Sequence, residues 1–143
     1  IWVSDHVVVP DQHNVFGEVF YDPLISLGFI ASATSSIELG TSVVVLPYRN
    51  PLVLAKSVSS LDALSQGRVI LGIGSGWLKG EFNALGVDYA SRGRMTDEYI
   101  EIMKELWTSE SPSYKGEHFS FSGIRFEPKP VQKPHPPIWA GGE

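Results

Sequence analysis

Apolar, β-branched runs alternate with helical segments along this chain, and that alternation limits the folds open to it more than any other feature. The runs are IWV at residues 1–3, IELGTSVVVLP at 37–47, RVILGIG at 68–74 and IWAGG at 138–142. They are near-continuous in apolar character, as strands buried on both faces are. A long loop is expected over Val7–Tyr21, then a helix with Asp22 as N-cap and Pro23 at the first helical position, reaching about Ser36. Pro51 opens a second helix with a Leu54, Val58, Leu61 stripe, closed by Gly67. A short helix is expected over 78–85 and a longer one over Thr96–Ser109, with Tyr99, Ile102, Met103, Leu106 and Trp107 on one face. Residues 113–127 read as a hairpin inserted before an extended, proline-rich connector, PKPVQKPHPP. The order β-α-β-α-β-α-hairpin-β predicts an α/β domain over residues 1–143, with a helix-covered parallel sheet.

The stretch RVILGIGSGW spaces three glycines G-x-G-x-G. It does not match the dinucleotide-binding pattern G-x-G-x-x-G, because Gly80 comes too late. Polar or glycine-rich positions follow every strand: Asp5-His6, Pro47 to Asn50, Gly74 to Gly76, and Gly141-Gly142. Both a closed barrel and a doubly wound sheet bind ligands at that edge. Spacing leaves both architectures open, and the missing third glycine leans toward the barrel.

Composition removes several function classes. The net charge of −5 and the absence of a Lys/Arg block argue against nucleic acid, which is held through basic phosphate contacts. No apolar run reaches membrane-spanning length. The chain has no cysteine, so disulfides and thiolate chemistry are excluded and a cytoplasmic location is favoured. Both ends of the chain fall inside strand-like runs, as expected of a piece of a larger protein.

WVSDH, IELGTSVVVLPYRNP, LDALSQGRVILGIGSGWLKGEF, LWTS, YKGEHFSF and KPVQKPHPPIWAGG, in that order, resemble the bacterial luciferase-like oxidoreductases. The branch they most resemble uses the deazaflavin coenzyme F420. The resemblance implies a (β/α)₈ TIM barrel, of which this chain would supply about half, strands two to five. It implies that Asp5 hydrogen-bonds the deazaflavin and that His6 faces the substrate as the catalytic group. Histidine suits that place because its ordinary pKa lies near the pH at which it must exchange a proton. A bulge with a non-proline cis peptide is implied at Ser42-Val43, supporting the ring, with Val45 close to it. Ser75 and Gly76 would line the cofactor pocket, and Gly141 and Gly142 would offer backbone N–H groups to the cofactor's phosphate or tail.

In the sugar-phosphate dehydrogenase of that family a catalytic glutamate follows the G-x-G pattern. Trp77 stands there in this chain, so a carboxylate base is missing and that substrate class is disfavoured. Trp77 reads either as a packed side chain or as the wall of an apolar pocket. Arg49 and Lys56 read as solvated charges, and Arg92 and Arg94 as candidate phosphate ligands. His13, His118 and His135 are too scattered for a metal site. The expected function is therefore hydride transfer between F420 and a small organic substrate. The alternatives are an FMN-dependent monooxygenase and a non-catalytic flavin binder. Homo-oligomer formation is expected, to cover open sheet edges and apolar helix faces.

Overall fold

The structure, a computed structural model, describes residues 1–10 and 19–141. Strand β1 (Trp2–Val3) is followed by helix α1 (Pro23–Ala33), β2 (Leu39–Thr41), β3 (Val44–Val45), α2 (Pro51–Leu64) and β4 (Val69–Gly74). Then come α3 (Lys79–Leu85), α4 (Arg92–Thr108), the hairpin strands β5 (Tyr114–Lys115) and β6 (Ser120–Phe121), and β7 (Ile138–Ala140). Both proline starts are capped, the first by Asp22 as the sequence suggests and the second by Asn50. Asp22 Oδ1 accepts from the N–H groups of Leu24 and Ile25 at 2.9 and 3.0 Å, and Asn50 Oδ1 accepts from Leu52 and Val53 at 2.9 and 3.3 Å.

Three boundaries differ from expectation, each for a local reason. Helix α1 stops at Ala33, because Thr34 is extended and Arg68 reaches over the helix end to bond the carbonyls of Ala31 and Ile37. Gly67 does take positive φ, but Gln66 before it is also left-handed, with the Gly67 N–H returning to Asp62 O at 2.8 Å. Helix α4 starts at Arg92 rather than Thr96, because a 3₁₀ turn over Tyr89–Ser91, capped by the Asp88 carboxylate, leads directly into it.

β1, β2, β4 and β7 are parallel neighbours in sequence order, with β3 continuing β2 along the same edge of β4. Each new strand is added on the same side and the order never reverses. A doubly wound sheet requires a reversal; a barrel forbids one.

The expected single strand over 37–47 is broken. Leu39 and Gly40 pair with Val69 and Ile70, whereas Val44 and Val45 pair with Ile73 and Gly74. Four steps on one strand therefore match three on the other, which is a one-residue bulge. The Ser42-Val43 peptide at this place is cis.

The helices cover the outer face. Leu39, Val44, Val69, Leu71 and Ile73 meet Leu27 of α1, Leu54 and Val58 of α2, and Ile102, Met103, Leu106 and Trp107 of α4 in one core. The inner face carries Trp2 and Trp139, whose ring centroids lie 5.2 Å apart. The Trp2 ring occupies the space a side chain at position 40 would need, so glycine is required there.

The hairpin and connector are fastened to the outside. The Glu98 carboxylate on α4 accepts from the backbone N–H groups of His118 and Phe119 and bonds His118 Nδ1 at 2.7 Å. Lys129 donates to the carbonyls of Leu106 and Ser109, and Asp62 receives the N–H groups of Val131 and Gln132. The connector is bent rather than uniformly extended, with cis bonds before Pro128 and Pro134. Burial works to raise the Glu98 pKa, but the bonds from His118 and Phe119 outweigh it and hold the group below its ordinary value of 4.5. A depressed carboxylate contributes stability above its unfolded pKa and loses it as pH falls through the lowered folded value. Glu98→Ala should therefore cost about 1–3 kcal/mol at neutral pH, since several part-buried hydrogen bonds to one charged carboxylate are lost together. In urea titrations the difference from the parent protein should shrink as the solution is acidified below the ordinary carboxylate range.

Candidate active site

The C-terminal ends of β1, β3, β4 and β7 open onto one cleft of about 470 Å³, lined also by Tyr48 and by Arg92 at the start of α4. That volume falls within the range of small-molecule sites. Asp5 and His6 enter it from β1, Ser42, Val43 and Val45 from the bulge, Ser75 and Gly76 from β4, and Gly141 from β7. Of the residues singled out by sequence, Gly142 lies outside the described residues, as does His13 among the weaker candidates.

Asp5 is 4% exposed and acts as a brace. Its carboxylate accepts from the Val45 N–H at 3.1 Å and from Arg49 Nη2 at 2.7 Å. Arg49 Nη1 reaches Asp22 at 2.8 Å, joining the mouth to the start of α1. Arg49 is therefore a half-buried tie between two acids and not the solvated charge expected of it. Burial works to raise the Asp22 pKa, but the Ile25 N–H and the Arg49 guanidinium prevail and hold it below its ordinary value.

His6 leans on the edge of Phe20, with ring centroids 4.8 Å apart, and its Nδ1 lies 3.0 Å from Glu81 Oε2. Glu81 is wholly buried in the first turn of α3. Its Oε1 accepts from the N–H groups of Val7 and Val8 at 2.6 and 3.2 Å, and its Oε2 accepts from the Tyr48 hydroxyl at 3.0 Å. Burial first, and the Glu81 charge second, push the Tyr48 phenol well above its ordinary pKa, so Tyr48 remains a donor. A carboxylate thus does stand behind the mouth, four positions beyond Trp77 where the sequence reading looked for one. Trp77 itself is 56% exposed on the cleft wall and is not a core residue.

The glycines shape the floor. Side chains at positions 74 and 141 would each strike a methyl of Val43, and one at position 76, where φ is +80°, would strike Val45 and Phe82. Arg92 lies over the Tyr89 ring at 3.9 Å and donates to the carbonyls of Gly76 and Tyr89. Among the described lining residues it is the one permanent cation. Arg94 instead pairs with Glu117 at the surface, Lys56 donates to the Glu127 carbonyl, and His118 and His135 bond Glu98 and the Pro136 carbonyl. No group of three potential metal ligands occurs among the described residues.

A family model described as luciferase-like monooxygenase matches residues 4–143. The chain belongs to the luciferase-like monooxygenase family. Its parallel strands accordingly form part of that family's TIM-barrel fold. It is 34% identical over 146 residues to the F420-dependent glucose-6-phosphate dehydrogenase of Amycolatopsis mediterranei, covering 99% of this chain and 43% of that protein. It is 33% identical over 116 residues to the FMNH(2)-dependent dimethylsulfone monooxygenase of Pseudomonas putida, covering 79% of this chain and 32% of that protein. The crystal structure of the monooxygenase RslO1 from Streptomyces bottropensis superposes with a TM-score of 0.88 at 29% identity, over 97% of this chain and 41% of that one. The chain thus spans between 32% and 43% of the length of these relatives.

The residues suit a flat heterocycle with an anionic tail. Val43 and the glycines give small, apolar lining, and Arg92 and His6 line the same cleft with a positive charge and an imidazole. Sequence reasoning missed Arg49, Tyr48 and Glu81. Glu81 carries no local signal: its burial follows from contacts with His6, Val7, Val8 and Tyr48, all far off in sequence. Arg49→Met should destabilise the protein by about 3–5 kcal/mol, because it leaves the buried Asp5 carboxylate without its counter-charge. Adding Asp5→Asn to that variant should recover part of the loss in urea unfolding.

Proposed function

We propose that this chain carries the coenzyme- and substrate-facing mouth of an F420-dependent oxidoreductase acting on a small organic alcohol or carbonyl compound. The convergence of His6, the bulge, Ser75-Gly76 and Gly141 on one cleft carries the reading. When bound, the deazaflavin supplies the hydride chemistry. The chain's own residues do the rest. His6 takes the hydroxyl proton of an alcohol as its carbon is oxidised, or returns that proton to a carbonyl in the reverse direction. Arg92 attracts the anionic part of the coenzyme; the Gly141 N–H, expected to serve it, is instead committed to the Ile73 carbonyl at 2.8 Å. Val43 supports the ring from below. Trp77 gives the substrate side an apolar wall, which favours a substrate less polar than a sugar phosphate.

An FMN-dependent monooxygenase is the second reading, supported by the dimethylsulfone monooxygenase relative. The acidic, cysteine-free composition supports a cytoplasmic location. Homo-oligomer formation is supported by Ile25 and Phe29, one turn apart on α1 and largely exposed. No helix among the described residues is long and apolar enough to cross a membrane.

Titrating the complete protein with oxidised F420 should change the coenzyme's fluorescence saturably, with no matching change for FMN. Tight FMN binding without F420 binding would replace this reading with the monooxygenase. His6→Gln should lower turnover by roughly 10²- to 10⁴-fold while leaving F420 affinity in place.

A further inference from the structure

The buried contacts of His6 specify which of its two ring nitrogens carries the proton. Nδ1 faces Glu81 Oε2 at 3.0 Å. An ionised carboxylate only accepts hydrogen bonds, so the Nδ1 partner must be a donor. The other groups around Glu81 keep it an acceptor. The Val7 and Val8 backbone N–H groups can only donate, and the Tyr48 hydroxyl retains its proton. Among the described residues, Nε2 of His6 has no hydrogen-bond partner, while the ring lines the cleft.

We propose that Glu81 is a positioning residue that fixes His6 as the Nδ1–H tautomer, leaving the bare Nε2 lone pair as the proton acceptor of the cleft. Glu81 does not line the cleft. It acts by choosing the proton's place on the ring and by holding the ring's rotation. The same anchor joins three pieces of chain: the segment after β1, the 3₁₀ turn at Leu46–Tyr48, and α3. The identity of the proton acceptor is thus written into a helix that lines the cleft only through its N-cap residue, Leu78. The catalytic part of this inference rests on the proposed role of His6; the tautomer does not.

The geometry also supplies a near-isosteric test, Glu81→Gln. The two backbone donors at Oε1 can bond only the amide oxygen, so the amide nitrogen must face His6 and Tyr48. Tyr48 can rotate its hydroxyl and accept. His6 must then accept at Nδ1, which places its proton on Nε2 and closes the lone pair to the cleft.

Long-range ¹H–¹⁵N spectra of the complete chain, recorded above the ordinary imidazole pKa of about 6.5, report the tautomer directly and without coenzyme. The expected result is a protonated Nδ1 in the parent protein and a protonated Nε2 in Glu81→Gln. Turnover of that variant should fall roughly 10²- to 10⁴-fold with KM nearly unchanged, and Glu81→Asp, still acceptor-only, should restore the Nδ1–H form and part of the rate. A parent protein already protonated on Nε2, or a Gln variant that keeps its proton on Nδ1, would overturn the proposal. Should the Gln variant not fold, the parent spectrum and the Asp variant decide alone. A tautomer that switches while turnover holds would support the assignment and remove His6 from the chemistry, which would count against the proposed function instead.

Discussion

One extra residue between β2 and β3 governs the architecture of the mouth. In a regular strand, positions five apart point to opposite faces. Leu39 and Val44 are five apart, yet both are fully buried in the helix-facing core, opposite Val69 and Ile73, which are four apart. The added residue restores the shared face that an unbroken strand would lose. It also sends Val43 and Val45 to the cleft and turns the Val45 N–H toward Asp5. Asp5 in turn holds Arg49, and Arg49 holds the cap of α1. A single insertion thereby sets the core register, the cleft floor and the ion-paired rim.

The electrostatics of the rim follow from the same economy of donors. The two buried acids nearest the cleft are both engaged from behind: Asp5 by Arg49 and a peptide group, Glu81 by two peptide groups, a phenol and an imidazole. Neither presents uncompensated negative charge to a ligand. What lines the cleft is an imidazole, a guanidinium, hydroxyls and peptide edges beside the apolar side chains of Val43, Val45 and Trp77.

The parts of this arrangement legible in the sequence are those with local signatures. Proline marked both helix starts, with Asp22 as the cap of the first, near-continuous apolar runs marked the parallel strands, and the apolar face of α4 marked its core side. Strand order was not decidable from spacing, because barrels and open sheets share the same βα rhythm; only pairing in sequence order separates them. The bulge was implied by family resemblance alone, since TSVVV reads as an ordinary core strand. Arg49 and Glu81 were hidden for a different reason. Their burial depends on partners 44 and 75 residues away, and no local pattern distinguishes a charge that will find a buried partner from one left in water.

The hairpin and its connector are bolted to the convex side through Glu98, Asp62 and Lys129, and none of those anchors borders the cleft. That separation leaves the strap without any part in lining the cleft. It also offers protein engineers a natural port for grafted loops, fluorophores or affinity handles, placed where cargo on the outside does not disturb what happens within.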